Sequence, residues 1–183
     1  MPDRTLVGIA GSLREGSYNH ALLQTAAERA PSGLRIELLD LRPIPFYDAD
    51  VEADGDPPPV TDLKSRIDDA DGILIATPEY QHGIPGLLKN ALDWASRPPG
   101  GSVLAGKPVA MMGASPSPVG TARAHLQLRT TLLYVQADLI TQPEVLVADA
   151  GNRISDGRLV HEASLGFLDQ LLERVARHLE HRG

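Results

Sequence analysis

The sequence contains no cysteine among its 183 residues. This absence excludes a disulfide, a thiolate metal site and a cysteine nucleophile, and it agrees with a reducing cytoplasm, where we expect the protein. The six histidines do not supply a metal site instead, because their spacing is not that of zinc ligands. We therefore expect no required metal.

A long apolar run and an excess of basic residues are also missing. No stretch reaches the roughly 18 apolar residues that a membrane helix needs, and the first residues lead into a strand without an apolar signal core. The formal net charge is -7, and the lysines and arginines are scattered along the chain. We therefore expect neither a membrane nor a nucleic acid as a partner.

Strand-like and helix-like patterns alternate along the chain. Apolar runs predict strands at 5–10, 34–40, 72–77, 107–113 and within 139–147. Apolar residues at helical spacing predict helices at 19–30, 61–70, 121–134 and 162–181, with another from about residue 86. The Pro-rich, acidic segment 42–60 is predicted to be irregular.

This alternation predicts an α/β fold in which five parallel strands are covered by helices on both faces. The second strand alternates polar and apolar residues, as expected near a sheet edge, whereas the third is apolar throughout. Because the hydrophobic content of 42% is enough for one core, we expect residues 1–183 to form a single domain.

The first predicted strand leads through a loop of small and hydroxyl-bearing residues into a helix. Ser12 and Ser17 offer hydroxyl groups, Arg14 offers a charge and Asn19 a helix cap, so the loop is suited to hold a phosphate. Its spacing matches neither a Walker loop nor a Gly-x-Gly-x-x-Gly turn, which disfavours a nucleoside triphosphatase and an ordinary Rossmann dehydrogenase. The alternative is a simple strand-to-helix turn with an N-cap.

A second loop follows the most apolar strand and opens into an amphipathic helix. Ligands of open α/β sheets bind at the carboxyl ends of strands, where this loop lies. The loop begins with Pro78, Glu79, Tyr80, Gln81 and His82. These residues supply a rigid proline, an aromatic ring and several polar side chains. His82 could donate a proton or be an ordinary loop histidine, and Glu79 could be an acid or base or organise the loop.

In this order, the two loops resemble those of the NADPH-dependent FMN reductase family, which includes flavin, quinone, chromate and azo-dye reductases. The resemblance implies a flavodoxin-like three-layer sandwich with strand order 2-1-3-4-5. It also implies that the first loop binds the FMN phosphate through Ser12, Arg14, Ser17 and Asn19. Tyr18 either covers the phosphate or ribityl chain or packs at the helix start.

The same resemblance implies that residues 78–82 lie along the isoalloxazine ring. A third segment, 113–120, would border the pyrimidine side of the flavin through Gly113 and Ser115, although an ordinary connection would have much the same composition. Position 81 is usually Asn in this motif and position 83 is often Ser. Gln81 and Gly83 therefore differ from the family motif at positions where the contacts to the ring edge and the shape of the acceptor pocket are set.

The activity implied by the resemblance is an FMN-dependent NAD(P)H oxidoreductase with a ping-pong cycle. Hydride would pass from NADPH or NADH through FMN to a small-molecule acceptor such as a quinone, flavin or azo compound. The flavin carries this chemistry, so no catalytic side chain is required, although His82 is a candidate. The alternatives are an FMN electron carrier reduced by a partner protein and a noncatalytic interaction protein. The family also implies a homodimer or homotetramer.

Overall fold

The computed structural model describes residues 3–182. In chain order the elements are β1 (Arg4–Ala10), α1 (Tyr18–Arg29), β2 (Leu34–Leu39), α2 (Ala49–Ala53), α3 (Pro58–Asp69), β3 (Gly72–Ala76), α4 (Gly86–Ala95), β4 (Pro108–Ala114), α5 (Ala122–Tyr134), β5 (Asp138–Val147), α6 (Ala150–Arg153), β6 (Ile154–Ser155), β7 (Arg158–Leu159) and α7 (Glu162–Glu180). All five predicted strands are present, with bounds that differ from the predicted ones only at their ends.

The main sheet has five parallel strands in the order β2-β1-β3-β4-β5. This confirms the predicted flavodoxin-like order and places β2 at an edge. Alternate residues of each strand face opposite layers: Val7 and Ile75 pack with α3, α4 and α5, whereas Leu6 and Leu74 pack with α1 and α7. No helix in the described residues 3–182 is long and apolar enough to cross a membrane.

The segment 42–60 is more regular than predicted. It contains α2 and the first turn of α3, which begins at Pro58 rather than at residue 61 because proline suits the first turn of a helix. Hydrogen bonds hold the preceding chain to α4: the Pro45 carbonyl accepts from Asn90 Nδ2 at 2.8 Å and from Trp94 Nε1 at 2.9 Å. Asn90 and Trp94 therefore anchor the segment to α4.

A small hairpin, β6–β7, lies between β5 and α7, where the sequence predicted no element. Strands of two residues leave no periodic pattern to detect. Arg158 on β7 donates from Nε to Glu28 at 2.7 Å and from Nη1 to Gln24 at 3.0 Å, and both acceptors are on α1. The hairpin therefore fastens the start of α7 to α1.

The inner face of α5 buries a histidine against the sheet. His125 is 2% exposed, and its Nε2 has no hydrogen-bond partner in the described part of the chain. Burial is the largest influence and lowers the pKa of His125, although a hydrogen bond to the Met112 backbone and the Glu144 charge oppose the shift. His125 is therefore neutral in the folded protein at neutral pH.

This buried histidine predicts a pH dependence of stability. The unfolded chain has the ordinary histidine pKa of about 6.5, so below this pH it binds more protons than the folded chain and the free energy of unfolding falls. His125→Gln removes the titrating group. In urea titrations at about pH 7.5 and about pH 5.5, we expect the variant to lose less stability on acidification than the wild type. Equal losses would contradict this assignment.

Candidate functional site

Three loops meet at the carboxyl edge of the sheet, after β1, β3 and β4, and enclose a cleft of about 440 Å³. This volume lies in the range of small-molecule sites, roughly 300–1,000 Å³. The cleft is lined by Ser12, Arg14, Ser17, Tyr18, Asn19, Pro78, Glu79, Tyr80, Ala114, Ser115 and Pro116. The structure thus brings residues from all three predicted segments together.

The loop after β1 presents a positive charge and hydroxyl groups to the cleft. The Arg14 guanidinium lies 5.0 Å from the centroid of the Tyr18 ring and has no carboxylate partner within residues 3–182. Ser17, rather than Asn19 as predicted, caps α1, because its Oγ accepts from the His20 N–H at 3.2 Å. A capped helix N-terminus beside a cation is a ready site for an anion.

Asn19 ties the first loop to the third. Its side chain is 2% exposed; Nδ2 donates to the Ala114 carbonyl at 2.9 Å, and Oδ1 accepts from the Ala114 N–H at 2.9 Å. Ala114 lies two positions beyond Met112, the last residue of β4 that pairs with β3. The Asn19 amide therefore completes the hydrogen bonding of β4 where β3 has ended.

The second loop turns back sharply on itself. Tyr80 and Gly83 exchange two backbone hydrogen bonds of 3.0 Å, and the residues between them, Gln81 and His82, have φ angles of 49° and 65°. Positive φ at both central positions is the geometry of a type I′ turn, which asparagine and glycine adopt more readily than glutamine. Gln81 and His82 are exposed at the tip and do not line the cleft, whereas Tyr80 does.

Glu79 caps α5 from the second loop. Thr121, at the N-cap position, makes no side-chain capping bond. Instead, Glu79 Oε2 accepts from the backbone N–H groups of Arg123 at 2.9 Å and Ala124 at 3.2 Å, and Oε1 accepts from the Arg123 guanidinium at 2.7 Å. Burial raises the pKa of Glu79, but these hydrogen bonds outweigh burial and lower it overall. Glu79 is therefore ionised and organises the loop.

The third loop contributes one of its two predicted site residues, Ser115. The other, Gly113, is not part of the cleft lining. Ser115 lines the cleft, and its Oγ accepts from the Ser117 N–H at 3.2 Å. Gly113 is inside β4 and does not line the cleft. Any side chain at Gly113 would collide with Thr121 Oγ1 and the Thr77 carbonyl, so glycine allows α5 and the end of β3 to approach.

Comparison with known proteins agrees with this arrangement. The sequence profile of the NADPH-dependent FMN reductase family matches residues 4–152. The chain belongs to this family. It is 45% identical over 174 residues to an NAD(P)H-dependent FMN reductase of Pseudomonas aeruginosa, covering 94% of each chain. It is 40% identical over 175 residues to a 2-hydroxy-1,4-benzoquinone reductase of a Burkholderia species, covering 95% of each.

A solved structure with the same fold is FerB, a flavoenzyme NAD(P)H:(acceptor) oxidoreductase of Paracoccus denitrificans. Its TM-score is 0.86 at 36% sequence identity, covering 97% of each chain. As a member of this reductase family, the protein is an FMN-dependent oxidoreductase that uses NAD(P)H. Within residues 3–182, no group of three or more His, Cys, Asp or Glu side chains is placed to hold a metal ion.

The Asn19 contact predicts a large loss of stability on truncation. Asn19→Ala leaves the N–H and carbonyl of Ala114 buried without partners, so we expect the free energy of unfolding to fall by about 2–4 kcal/mol in urea titrations. Asn152→Ala is the matched control, because Asn152 is exposed and its amide bonds only to the nearby Asp149. We expect the control to change stability by less than about 0.5 kcal/mol. Similar losses in both variants would contradict the role of Asn19.

Proposed function

We propose that the cleft binds FMN with the phosphate at the first loop and the isoalloxazine along the second. The observation that carries this proposal is the composition of the cleft lining. The first loop contributes Arg14, Ser12 and the N-terminus of α1, which suit a phosphate. The second loop contributes Pro78 and Tyr80, which suit a flat ring.

The side chains of the cleft would then bind and orient, while the cofactor supplies the redox chemistry. Bound FMN would supply hydride transfer between NAD(P)H and an acceptor, and residues of the lining such as Arg14, Ser12 and Tyr80 would hold it. Arg14 neutralises phosphate charge, and Tyr80, 53% exposed with its hydroxyl 3.5 Å from Ser12 Oγ, bridges the first two loops at the mouth. His82 is exposed and does not line the cleft, so we assign it no catalytic role.

The acceptor in this proposal is a quinone, or another planar molecule that stacks in the same place as the nicotinamide. The relatives named quinone reductase, including one from Escherichia coli that is 38% identical over 167 residues, support this class. One open face shared by donor and acceptor requires the oxidised nicotinamide to leave before the acceptor enters. The cycle is therefore ping-pong.

Steady-state kinetics test this proposal. With the FMN-loaded protein, NADPH is varied at several fixed concentrations of 1,4-benzoquinone, and the series is repeated with NADH. We expect parallel lines in double-reciprocal plots, because the two substrates never occupy the site together. Intersecting lines would show that both bind at once and would contradict the shared face. Absence of turnover with either nicotinamide would favour an FMN electron carrier.

The phosphate site predicts a specific effect of Arg14. Riboflavin shares the ring of FMN but has no phosphate, so Arg14→Ala should weaken FMN binding roughly tenfold and leave riboflavin binding unchanged. Fluorescence titration of the apoprotein measures both affinities. Arg174→Ala, an exposed change on α7, is the matched control. Equal weakening of both flavins by Arg14→Ala would contradict the placement of the phosphate.

A homodimer or homotetramer is also part of this proposal. The outer surface of α5 exposes three large side chains: Leu126 at 63%, Leu133 at 63% and Tyr134 at 89%. Exposed apolar groups clustered on one helix are typical of a surface that pairs with another protein, here a second copy of the chain. Light scattering that finds only a monomer at micromolar concentration would contradict it.

A further inference from the structure

Helix α5 holds the second loop at two points, and only one of them is the Glu79 carboxylate. The other is Gln127, whose Oε1 accepts from the backbone N–H of Ile84 at 2.7 Å. Arg123, which binds Glu79, and Gln127 are four residues apart and therefore lie on the same side of α5. The two contacts fall on either side of the turn at 80–83, so both ends of the turn are fixed to one helix.

Gly83 and Gln127 are complementary in shape. A Cβ atom added to Gly83 would overlap Gln127 Oε1. The carboxamide of Gln127 therefore occupies the space that a side chain at position 83 would need. The family resemblance gives serine as a frequent residue at this position, and in this chain the space is filled from α5 instead.

The turn between these contacts is conformationally strained. Gln81 and His82 both have positive φ, a region that residues with such side chains adopt rarely and at an energetic cost. Strained backbone of this kind persists only where neighbouring contacts hold it. Two kinds of contact hold this turn. Tyr80 and Gly83 exchange two backbone hydrogen bonds, and hydrogen bonds join Glu79 and Ile84, on either side of the turn, to α5.

We propose that Gln127 is a positioning residue for flavin binding. It holds Ile84, and through it the turn at 80–83, in the conformation in which Tyr80 lines the cleft, and Gly83 makes room for it. This inference rests on the proposed placement of FMN. It gives Gln127, an exposed side chain outside the cleft lining, a defined effect on cofactor affinity.

The test compares two substitutions of the same length. Gln127→Met removes the acceptor oxygen, and Gln127→Glu retains one. We expect Gln127→Met to speed hydrogen exchange of the Ile84 amide in the apoprotein and to weaken FMN binding roughly three- to tenfold, whereas Gln127→Glu keeps both near the wild-type values. Gln170→Met, the same change at an exposed position of α7, is the matched control and should alter neither.

A second pair of variants tests the shape complementarity. Gly83→Ser alone should crowd the carboxamide and weaken FMN binding. Combined with Gln127→Ala, the same serine has space, so the two effects should be strongly non-additive. The unfolding midpoint of each apoprotein separates a local change in the turn from a general loss of stability, and we expect it to be nearly unchanged in Gln127→Met.

The outcomes distinguish this inference from the proposed function. Failure of the wild-type apoprotein to bind FMN would overturn the placement of the cofactor itself. If the wild type binds FMN but Gln127→Met leaves both FMN affinity and Ile84 exchange unchanged, the positioning role alone is wrong. Equal effects of the Met and Glu substitutions would also overturn it, because the acceptor oxygen would then have no part in holding the loop.

Discussion

The paired hydrogen bonds between the Asn19 side chain and the Ala114 backbone fix the geometry on which the cleft depends. Strands β3 and β4 separate at their carboxyl ends, since β3 ends at Ala76 and β4 runs on to Ala114. The Asn19 amide takes the place of the missing β3 partner and fixes the N-terminus of α1 against the third loop. Glu79 performs a similar task between the second loop and α5, so side-chain hydrogen bonds join each of the three loops to a neighbouring element.

Charge in this protein is arranged locally rather than as a broad field. The chain has a net charge of -7, yet the first loop sets the Arg14 guanidinium beside the N-terminus of a helix. The Glu79 carboxylate, from another residue of the cleft lining, is paired with Arg123 and with the first N–H groups of α5. The cleft therefore has a local positive charge within an acidic protein, and this charge is suited to an anionic group.

The alternation of apolar runs and helices predicts the five parallel strands, and the order that the family resemblance implies for them is the order observed. The short elements were missed: α2 and the β6–β7 hairpin are too brief to show periodicity. Most residues of the cleft lining were predicted, because they lie in the loops that follow the strands. Their hydrogen-bond partners were not predicted. An asparagine near a helix start suggests a local cap, and only the structure shows that Asn19 bonds to Ala114, 95 residues away. Likewise, nothing in the sequence near Glu79 or Ile84 indicates that residues of α5 bind them.

The central claim is that the three loops place FMN where a nicotinamide can reach it. Its most direct test is to mix the FMN-loaded protein with NADPH, and separately with NADH, in the absence of oxygen and of any acceptor, while following the absorbance of oxidised flavin. The account predicts rapid bleaching by at least one nicotinamide and recovery of the absorbance when benzoquinone is then added. Bound flavin that stays oxidised with both nicotinamides would contradict it.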